Sequence, residues 1–284
     1  MSCRARWGGR NTSAGKWVKE AYRDYAFGRQ TFAELKKSTG KNPRTLQRYF
    51  DALEPFTGEL KIPPHPVSVI LDATFFSRRD GVLVARAEGR NLLWKEIETE
   101  RLDHYGEMLD TLSAAGVQPE AFVIDGRRGV LQLITNKFPG VPVQLCQFHQ
   151  LQTVTHYLSS RPKLQAGREL RELALTLAKT SRQTFAVRLD EWHERWQDFL
   201  RDKSWNPEAN RWHYTHHRIR SAYRSLHRNL YWLFTYHGFP ERHIPNTTNS
   251  CDGSFTHWKN RIKIHRGLRK DRKRKMMHFL LENS

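Results

Sequence analysis

Apolar residues in the first part of the chain recur at the spacing of short amphipathic helices. Trp17, Ala21 and Tyr25 lie on one helical face of the segment WVKEAYRDYAF. The next segment, TFAELKKSTG, begins at a threonine suited to an N-cap and ends at Gly40. In NPRTLQRYFDAL, Asn42 can cap a third helix whose first position is a proline. The pattern predicts three short helices.

Two short helices, a turn that contains glycine and a third helix form the outline of a helix-turn-helix over residues 17–55. A small helical bundle with solvated basic residues has the same outline. Residues 1–16 read as a flexible basic arm, and the proline-containing residues 56–66 read as a linker. If the unit binds DNA, the candidate contact residues on the third helix are Arg44, Thr45, Gln47 and Arg48.

A strand pattern begins after residue 66. VSVILDATFF, GVLVARAEG and LLWKEIE predict three strands joined by short turns. RLDHYGEMLDTLSAAG then has apolar residues on one helical face, and AFVIDG is typical of a buried parallel strand after a helical crossover. A further helix, RGVLQLITNKF, and a further strand, VPVQLCQ, follow. This order over residues 67–145 predicts the α/β class.

The strand pattern ends at Cys146, and helical patterns follow up to residue 244. The clearest is a stripe in SRQTFAVRLDEWHERWQDFL. We therefore predict an all-helical insertion over residues 146–244, followed by basic C-terminal helices over residues 245–284. The stripe consists of Phe185, Leu189, Trp192, Trp196 and Phe199.

The charge of the chain points to a polyanionic partner. Lys and Arg number 48 against 29 Asp and Glu, a net charge of +19 over 284 residues. Nucleic acid is the leading candidate, although a basic ribosomal or membrane-surface protein would share this charge. No apolar run approaches the roughly 20 residues that span a bilayer, and the N-terminus lacks an apolar signal segment. The three scattered cysteines, Cys3, Cys146 and Cys251, fit a reducing compartment, so we expect an intracellular protein.

Two aspartates lie where the predicted strands would hold them rigidly. Asp72 lies inside the first apolar strand, where an unpaired charge is costly to bury, and Asp125 ends the fourth strand. If the fourth strand pairs with the first, both carboxylates converge at one edge of the sheet. Each alone has a structural explanation, as a hydrogen-bonded core carboxylate or an Asp-Gly turn. Together they favour a site for Mg²⁺, which prefers oxygen ligands and can serve phosphodiester chemistry as a pair of ions.

A third acid, Asp252, stands at the start of a basic helix in the segment TTNSCDG. By itself it is explained by the helix dipole, which favours an acid in the first turn. The strand order, Asp72 and Asp125, the CQFH segment, the long insertion and TTNSCDG together resemble the ribonuclease H-like catalytic domain of DDE/D transposases. The resemblance is to those of bacterial insertion sequences of the Mutator-like superfamily. It covers roughly residues 67–284 and is much less specific for the N-terminal helices.

The resemblance implies an α/β fold with a ribonuclease H-like mixed sheet and an all-helical insertion, preceded by a helix-turn-helix. In such enzymes the third acid stands on a helix after the insertion and is the glutamate of a Thr-Thr-Asn-x-x-Glu pattern. Here Thr247, Thr248 and Asn249 match this pattern, and Asp252 takes the place of the glutamate. The aspartate is one methylene shorter and requires a slightly closer helix, which Gly253 permits.

The resemblance also implies the chemistry and the partners. Asp72, Asp125 and Asp252 would hold two Mg²⁺ or Mn²⁺ ions for DNA strand cleavage by water and strand transfer by a DNA 3′-hydroxyl, without a covalent protein intermediate. The partners would be double-stranded DNA, as element ends and target, and at least a second copy of the chain. The protein would act in the bacterial cytoplasm, associated with the nucleoid.

Cys146 and His149 in CQFH have the spacing of a metal-ligand pair. A structural zinc needs four ligands, and only this one pair is recognisable, so we do not expect zinc. The resemblance implies that Cys146, His149 and Asn249 position the nearby helices or DNA. A buried, hydrogen-bonded histidine is the alternative.

Basic residues are dense after Asp252, with Trp258 and His265 between them. Such a run is often only a solvated face. Because it follows a candidate catalytic acid, we expect it to contact DNA phosphates, which raises affinity without selecting sequence. The run consists of Lys259, Arg261, Lys263, Arg266, Arg269, Lys270, Arg272, Lys273, Arg274 and Lys275.

Two other functions fit the same residues. A ribonuclease H-like nuclease would use the same metal site on branched DNA or RNA hybrids but would not join a 3′-hydroxyl end to target DNA. A domesticated or decayed DNA-binding regulator would keep the basic residues without metal chemistry. The trio of acids speaks against the regulator.

Overall fold

The computed structural model describes residues 15–54, 60–265 and 267–284. Contacts divide the chain into two compact units, of which one is Leu60–Gly253 and the other combines the N-terminal residues with Ser254–Ser284. Most of the expected basic arm, with Cys3, and the first part of the expected linker lie outside the described residues, as does Arg266. Among the described residues, no helix combines the length and the apolar character that crossing a bilayer requires.

A mixed five-stranded sheet forms the centre of the larger unit, with strand order β3-β2-β1-β4-β5. The first three strands form an antiparallel meander, and β4 and β5 run parallel to β1. The α/β class and the succession of strands that the sequence predicts are confirmed. The strands are β1 (Val67–Ser77), β2 (Asp80–Ala87), β3 (Arg90–Ile97), β4 (Pro119–Ile124) and β5 (Val143–Leu145).

Helical crossovers make the parallel part of the sheet possible. Helix α4 (Leu102–Ala114) connects β3 to β4, and α5 (Arg128–Lys137) connects β4 to β5. Tyr105, Met108 and Leu109 of α4 are buried in the same core as the sheet residues. Parallel neighbours need such a crossover because their chain directions forbid a tight hairpin.

Strand β1 lies in the middle of the sheet and sets the position of the first acid. Its register pairs Ile70 with Val123 of β4. Two residues further along each strand stand Asp72 and Asp125, so the parallel pairing brings both to the same edge. Because side chains alternate along a strand, Asp72 lies on the face opposite Leu71, which belongs to the main core.

Four helices follow β5 and bury the apolar stripe that the sequence predicts. Phe185, Leu189 and Trp192 of this stripe are buried, and Trp196 packs against the same core. The helices are α6 (Gln147–Leu158), α7 (Gln165–Leu175), α8 (Arg182–Arg201) and α9 (His217–Leu233).

The prediction that this insertion is all-helical is wrong. Strands β6 (Lys203–Asn206) and β7 (Arg211–Tyr214) form a hairpin between α8 and α9. Pro207 and Asn210, which has a φ of 46°, end any helical path at this point, and the aromatic residues on either side favour strands.

The smaller unit begins with the three predicted helices, α1 (Lys16–Ala26), α2 (Phe32–Thr39) and α3 (Pro43–Ala52). Thr31 and Glu34 form a capping box on α2. Gly40 ends α2 in the left-handed conformation, with a φ of 68°, and Asn42 caps α3. These end signals are confirmed, because helix ends depend on residues close in sequence.

The C-terminal residues complete this smaller unit, which differs from the expected grouping of residues 245–284 with the sheet. Helix α10 (Asn249–Ile264) contains the boundary between the units, after Gly253, and α11 (Lys270–Glu282) lies wholly in the smaller one. The ring of Phe279 lies 5.1 Å from that of Tyr22, edge to face. Helix α11 therefore buries its apolar face against the N-terminal helices.

Candidate metal centre

The larger unit brings two distant acids and one histidine to a single point. Asp72 lies on β1, His149 in the first turn of α6 and Asp252 in the first turn of α10. One possible ligand atom from each lies within 4.8 Å of the other two. The predicted meeting of Asp72 and Asp252 is therefore present, and His149 joins them as a potential ligand.

Asp72 is buried and only partly hydrogen-bonded. Its side chain accepts a hydrogen bond at Oδ1 from the backbone N–H of Ala73, at 2.8 Å. Its Oδ2 is buried and, among the described residues, has no hydrogen-bond partner. Burial raises the pKa of Asp72 to about 7; the nearby His149 opposes this rise, while the charges of Asp252 and Asp125 add to it.

A buried carboxylate oxygen without a partner is costly, because it has lost water and gained nothing in return. A divalent cation among carboxylates would remove this cost and the repulsion between them. The donor set of Asp72, Asp252 and His149 therefore fits a metal ion. When no metal ion is bound, a protonated His149 supplies the positive charge beside these carboxylates.

Asp125 lies at the same sheet edge but outside the cluster of three. Its Oδ1 accepts a hydrogen bond from the backbone N–H of Arg127 at 3.2 Å. Burial raises the pKa of Asp125, and the charge of Glu100 adds to the rise, while Arg127 opposes it. The charge of Asp125 also contributes to the raised pKa of Asp72, so the two carboxylates interact electrostatically.

Cys146 holds the beginning of α6 in place. Its backbone N–H donates to the carbonyl of Ile124 at 2.8 Å, which ties it to the end of β4. Its Sγ caps α6 by accepting from the backbone N–H of His149 at 3.4 Å, and it also accepts from the backbone N–H of Thr248 at 3.3 Å. Burial alone would raise the pKa of the Cys146 thiol, but hydrogen bonds from His149 and Thr248 lower it.

Thr248 connects the two helices that carry His149 and Asp252. Its Oγ1 lies 3.2 Å from Nδ1 of His149 and 3.2 Å from Oδ2 of Asp252. A hydroxyl can accept from the imidazole while it donates to the carboxylate, so one side chain orients both. The sequence motif contains Thr248, but its spacing gives no sign of this role.

The electrostatics of His149 follow from these neighbours. The hydrogen bond with Cys146 raises the pKa of His149 to about 9; burial opposes this rise, and the charges of Cys146, Asp72 and Asp252 support it. The sequence predicts His149 as a positioning residue. The structure places it among the potential ligand atoms as well.

The segment before α10 is fixed to α6 by a second pair of hydrogen bonds. The backbone N–H of Gln147 donates to the carbonyl of Asn246 at 2.9 Å, and the Asn246 side chain donates to Oε1 of Gln147 at 3.0 Å. Asn249, predicted to have a positioning role, begins α10, and its backbone N–H donates to Oγ1 of Thr247. These bonds hold the TTN segment where Asp252 can face Asp72.

A cleft of about 540 Å³ lies beside the centre, within the larger unit. Asp125, Cys146 and His149 line one part of it, and the basic residues Arg127 and Arg228 line another. Asn229 donates to Oε1 of Gln150 at 2.8 Å, which connects α9 to α6 across the cleft lining. The cleft combines one acid, Asp125, which suits a cation, with arginines that suit phosphate groups.

The predicted DNA-contact residues of α3 differ in exposure. Arg44 and Arg48 are exposed, and Thr45 and Gln47 are half-buried. Their role stays a prediction.

The basic C-terminal residues are also a mixed set. Lys263, Arg269 and Lys270 are exposed. Trp258 and His265, which lie between these basic residues in the sequence, are buried. His265 bonds to the carbonyl of Tyr25 through Nε2 at 2.9 Å. The half-buried members of the set are Lys259, Arg261, Arg272, Lys273 and Lys275.

Two of these basic residues make contacts that stabilise the smaller unit. Arg272 donates two hydrogen bonds to the carboxylate of Asp51, at 2.8 and 2.7 Å. The ammonium group of Lys275 donates to the carbonyls of Phe50, Asp51 and Leu53, at 3.2, 2.7 and 2.8 Å, at the C-terminal end of α3. Arg272 is thus engaged within the protein, although the sequence predicts it as a phosphate contact.

Comparison with known proteins assigns the chain to no family. No family model matches the chain, and a search of curated proteins finds no significant match.

Proposed function

We propose that the chain is a DNA transposase that cleaves and joins DNA strands with divalent metal ions. The observation that carries the proposal is the buried Oδ2 of Asp72, which has no hydrogen-bond partner among the described residues and lies beside Asp252 and His149. Such an arrangement is costly without a cation and useful with one.

The fold supports the proposal. The strand order β3-β2-β1-β4-β5, with three antiparallel strands followed by two parallel ones, is similar to that of ribonuclease H-like domains. A long insertion separates β5 from α10, as the resemblance implies. Helices α1 to α3 have the outline of a helix-turn-helix, which would supply sequence recognition.

The residues of the centre would divide the work. Asp72, Asp125 and Asp252 would hold two Mg²⁺ or Mn²⁺ ions, which when bound supply Lewis acidity at the scissile phosphate. Thr248 orients Asp252 and His149 through its hydroxyl. Arg228, in the adjacent cleft, would hold phosphates of the same DNA strand, whereas Arg127 is paired with Glu100.

The decisive experiment compares wild type with Asp72→Asn in cleavage and joining of DNA ends taken from the sequence flanking the coding region. Asp72→Asn should lose cleavage and joining, and calorimetric titration should show weaker Mn²⁺ binding. Asp110→Asn is the matched control, because Asp110 is an exposed acid on α4 that pairs with Lys137. Equal activity of wild type and Asp72→Asn would eliminate the proposed role.

The same assay separates the proposal from its rivals. Cleavage without joining to target DNA would favour a ribonuclease H-like nuclease. DNA binding with neither metal binding nor cleavage would favour a regulator. The proposal also implies a dimer or larger assembly on paired DNA ends in the bacterial cytoplasm, and gel filtration with such DNA would test the assembly.

A further inference from the structure

The β6–β7 hairpin presents a row of aromatic rings on one face. Its register pairs Lys203 with Tyr214 and Trp205 with Trp212. Side chains two positions apart on a strand lie on the same face, and paired residues lie on the same face across strands. These four residues therefore share one face, which we call the aromatic face.

The three rings of this face are exposed to solvent. Trp212 is 64% exposed, Trp205 45% and Tyr214 38%. The two indoles contact each other edge to face, with ring centroids 5.6 Å apart. Scattered exposed apolar residues need no explanation, but three adjacent aromatic rings on one hairpin face indicate a binding surface.

Cations accompany the rings. The guanidinium group of Arg220 lies 3.6 Å from the centroid of the Tyr214 ring, and the ammonium group of Lys203 lies 5.4 Å from it. Over residues 201–220, five Lys and Arg residues stand against two acids, Asp202 and Glu208. A ligand of this face should therefore carry negative charge as well as flat apolar surfaces.

We propose that the aromatic face binds unpaired nucleotides of a DNA strand, with bases stacked on Trp212 and Trp205 and phosphates held by nearby cations such as Lys203. Bases in an intact duplex have their faces covered by neighbouring base pairs, whereas unpaired bases can stack on aromatic side chains. The inference rests on the proposed function, because strand cleavage and end joining expose unpaired nucleotides. It assigns to the insertion a task that the metal centre does not perform.

The test is fluorescence anisotropy with full-length protein in EDTA, using a labelled single-stranded oligonucleotide and a blunt duplex of the same sequence. Trp212→Ala should weaken single-strand binding about tenfold, in keeping with the loss of one stacked base, and should leave duplex binding within about twofold. Trp212→Phe should retain most of the affinity, because phenylalanine keeps a ring for stacking. Tyr231→Ala is the matched control, since Tyr231 is an aromatic residue on α9 that is 57% exposed.

The possible outcomes are distinct. Unchanged single-strand binding by Trp212→Ala and Trp205→Ala, or an equal loss on duplex, would overturn the proposal. A change of oligomeric state in gel filtration, with DNA binding unchanged, would show that the face binds a second copy of the chain instead. Because binding is measured without metal, Trp212-dependent binding by a protein that cleaves no DNA would refute only the proposed transposase. If the enzyme cleaves and joins DNA but its single-strand binding is unaffected by Trp212→Ala and Trp205→Ala, only this inference would be refuted.

Discussion

The hydroxyl oxygen of Thr248 lies 3.2 Å from Oδ2 of Asp252, one helical turn further along the chain. The same oxygen lies 3.2 Å from Nδ1 of His149, a residue 99 positions earlier in the sequence. Thr248 is fully buried, so these contacts are shielded from water. The geometry of the candidate metal centre therefore depends on a residue that is not itself a ligand.

Replacing Thr248 by valine should weaken metal binding. The valine keeps the shape of the side chain but cannot accept from His149 or donate to Asp252. Loss of a residue that orients metal ligands typically costs about 10- to 100-fold in metal affinity. Titration calorimetry with Mn²⁺ measures the change, and Thr248→Ser, which retains the hydroxyl, should stay close to wild type. Wild-type affinity in Thr248→Val would contradict the orienting role.

Cys146 should be replaceable by serine but not by alanine. Its Sγ caps α6, and loss of a side-chain cap costs about 1 kcal/mol of stability. Cys146→Ala should therefore lower the free energy of unfolding by about that amount, whereas Cys146→Ser should retain a cap. Urea unfolding followed by circular dichroism distinguishes them. If Cys146 were instead a zinc ligand, both variants would lose bound zinc, which elemental analysis would detect.

Lys275 and Lys263 should separate stability from DNA binding. Lys275→Met leaves three carbonyl groups without their donor and should lower the free energy of unfolding by about 1–3 kcal/mol. Lys263, exposed on α10, is a candidate phosphate contact. Lys263→Met should leave stability unchanged and weaken DNA binding. The slope of log K against log salt concentration should fall in magnitude by about one. Unchanged stability in Lys275→Met, or unchanged DNA binding in Lys263→Met, would contradict the role assigned to that residue.

The stability of the protein should depend on pH through His265. Burial lowers the pKa of His265, and the bond to the carbonyl of Tyr25 opposes this effect. A histidine with a lowered pKa in the folded state binds its proton more readily when unfolded. Its contribution to stability is therefore full above the pKa of an unfolded histidine, about 6.5, and is lost as the pH falls through the folded value.

Urea unfolding from pH 7.5 to pH 5.0 tests this dependence. His265→Gln should be less stable than wild type at pH 7.5, and the difference should shrink as the pH falls. His213→Gln, at an exposed position on β7, is the control. A difference between His265→Gln and wild type that is independent of pH would exclude titration of His265 as the cause.

The sequence by itself determines the local elements and the separate positions of the acids. Thr31, Gly40 and Asn42 mark helix ends, and these signals act over a few residues. The apolar runs identify the strands, because side chains alternate along a strand. They also show that Asp72 lies inside one strand and Asp125 at the end of another. The α/β class could be predicted because it requires only the order of such elements.

The tertiary structure decides which elements meet. Periodicity shows that α11 has an apolar face, but not that this face buries Phe279 against Tyr22 of α1. Pro207 and Asn210 interrupt a helical pattern, but only strand pairing shows that Trp205 and Trp212 share a face. His149 and Thr248 acquire their places from contacts between α6 and the segment before α10. Such contacts join residues far apart in the chain, and no local spacing encodes them.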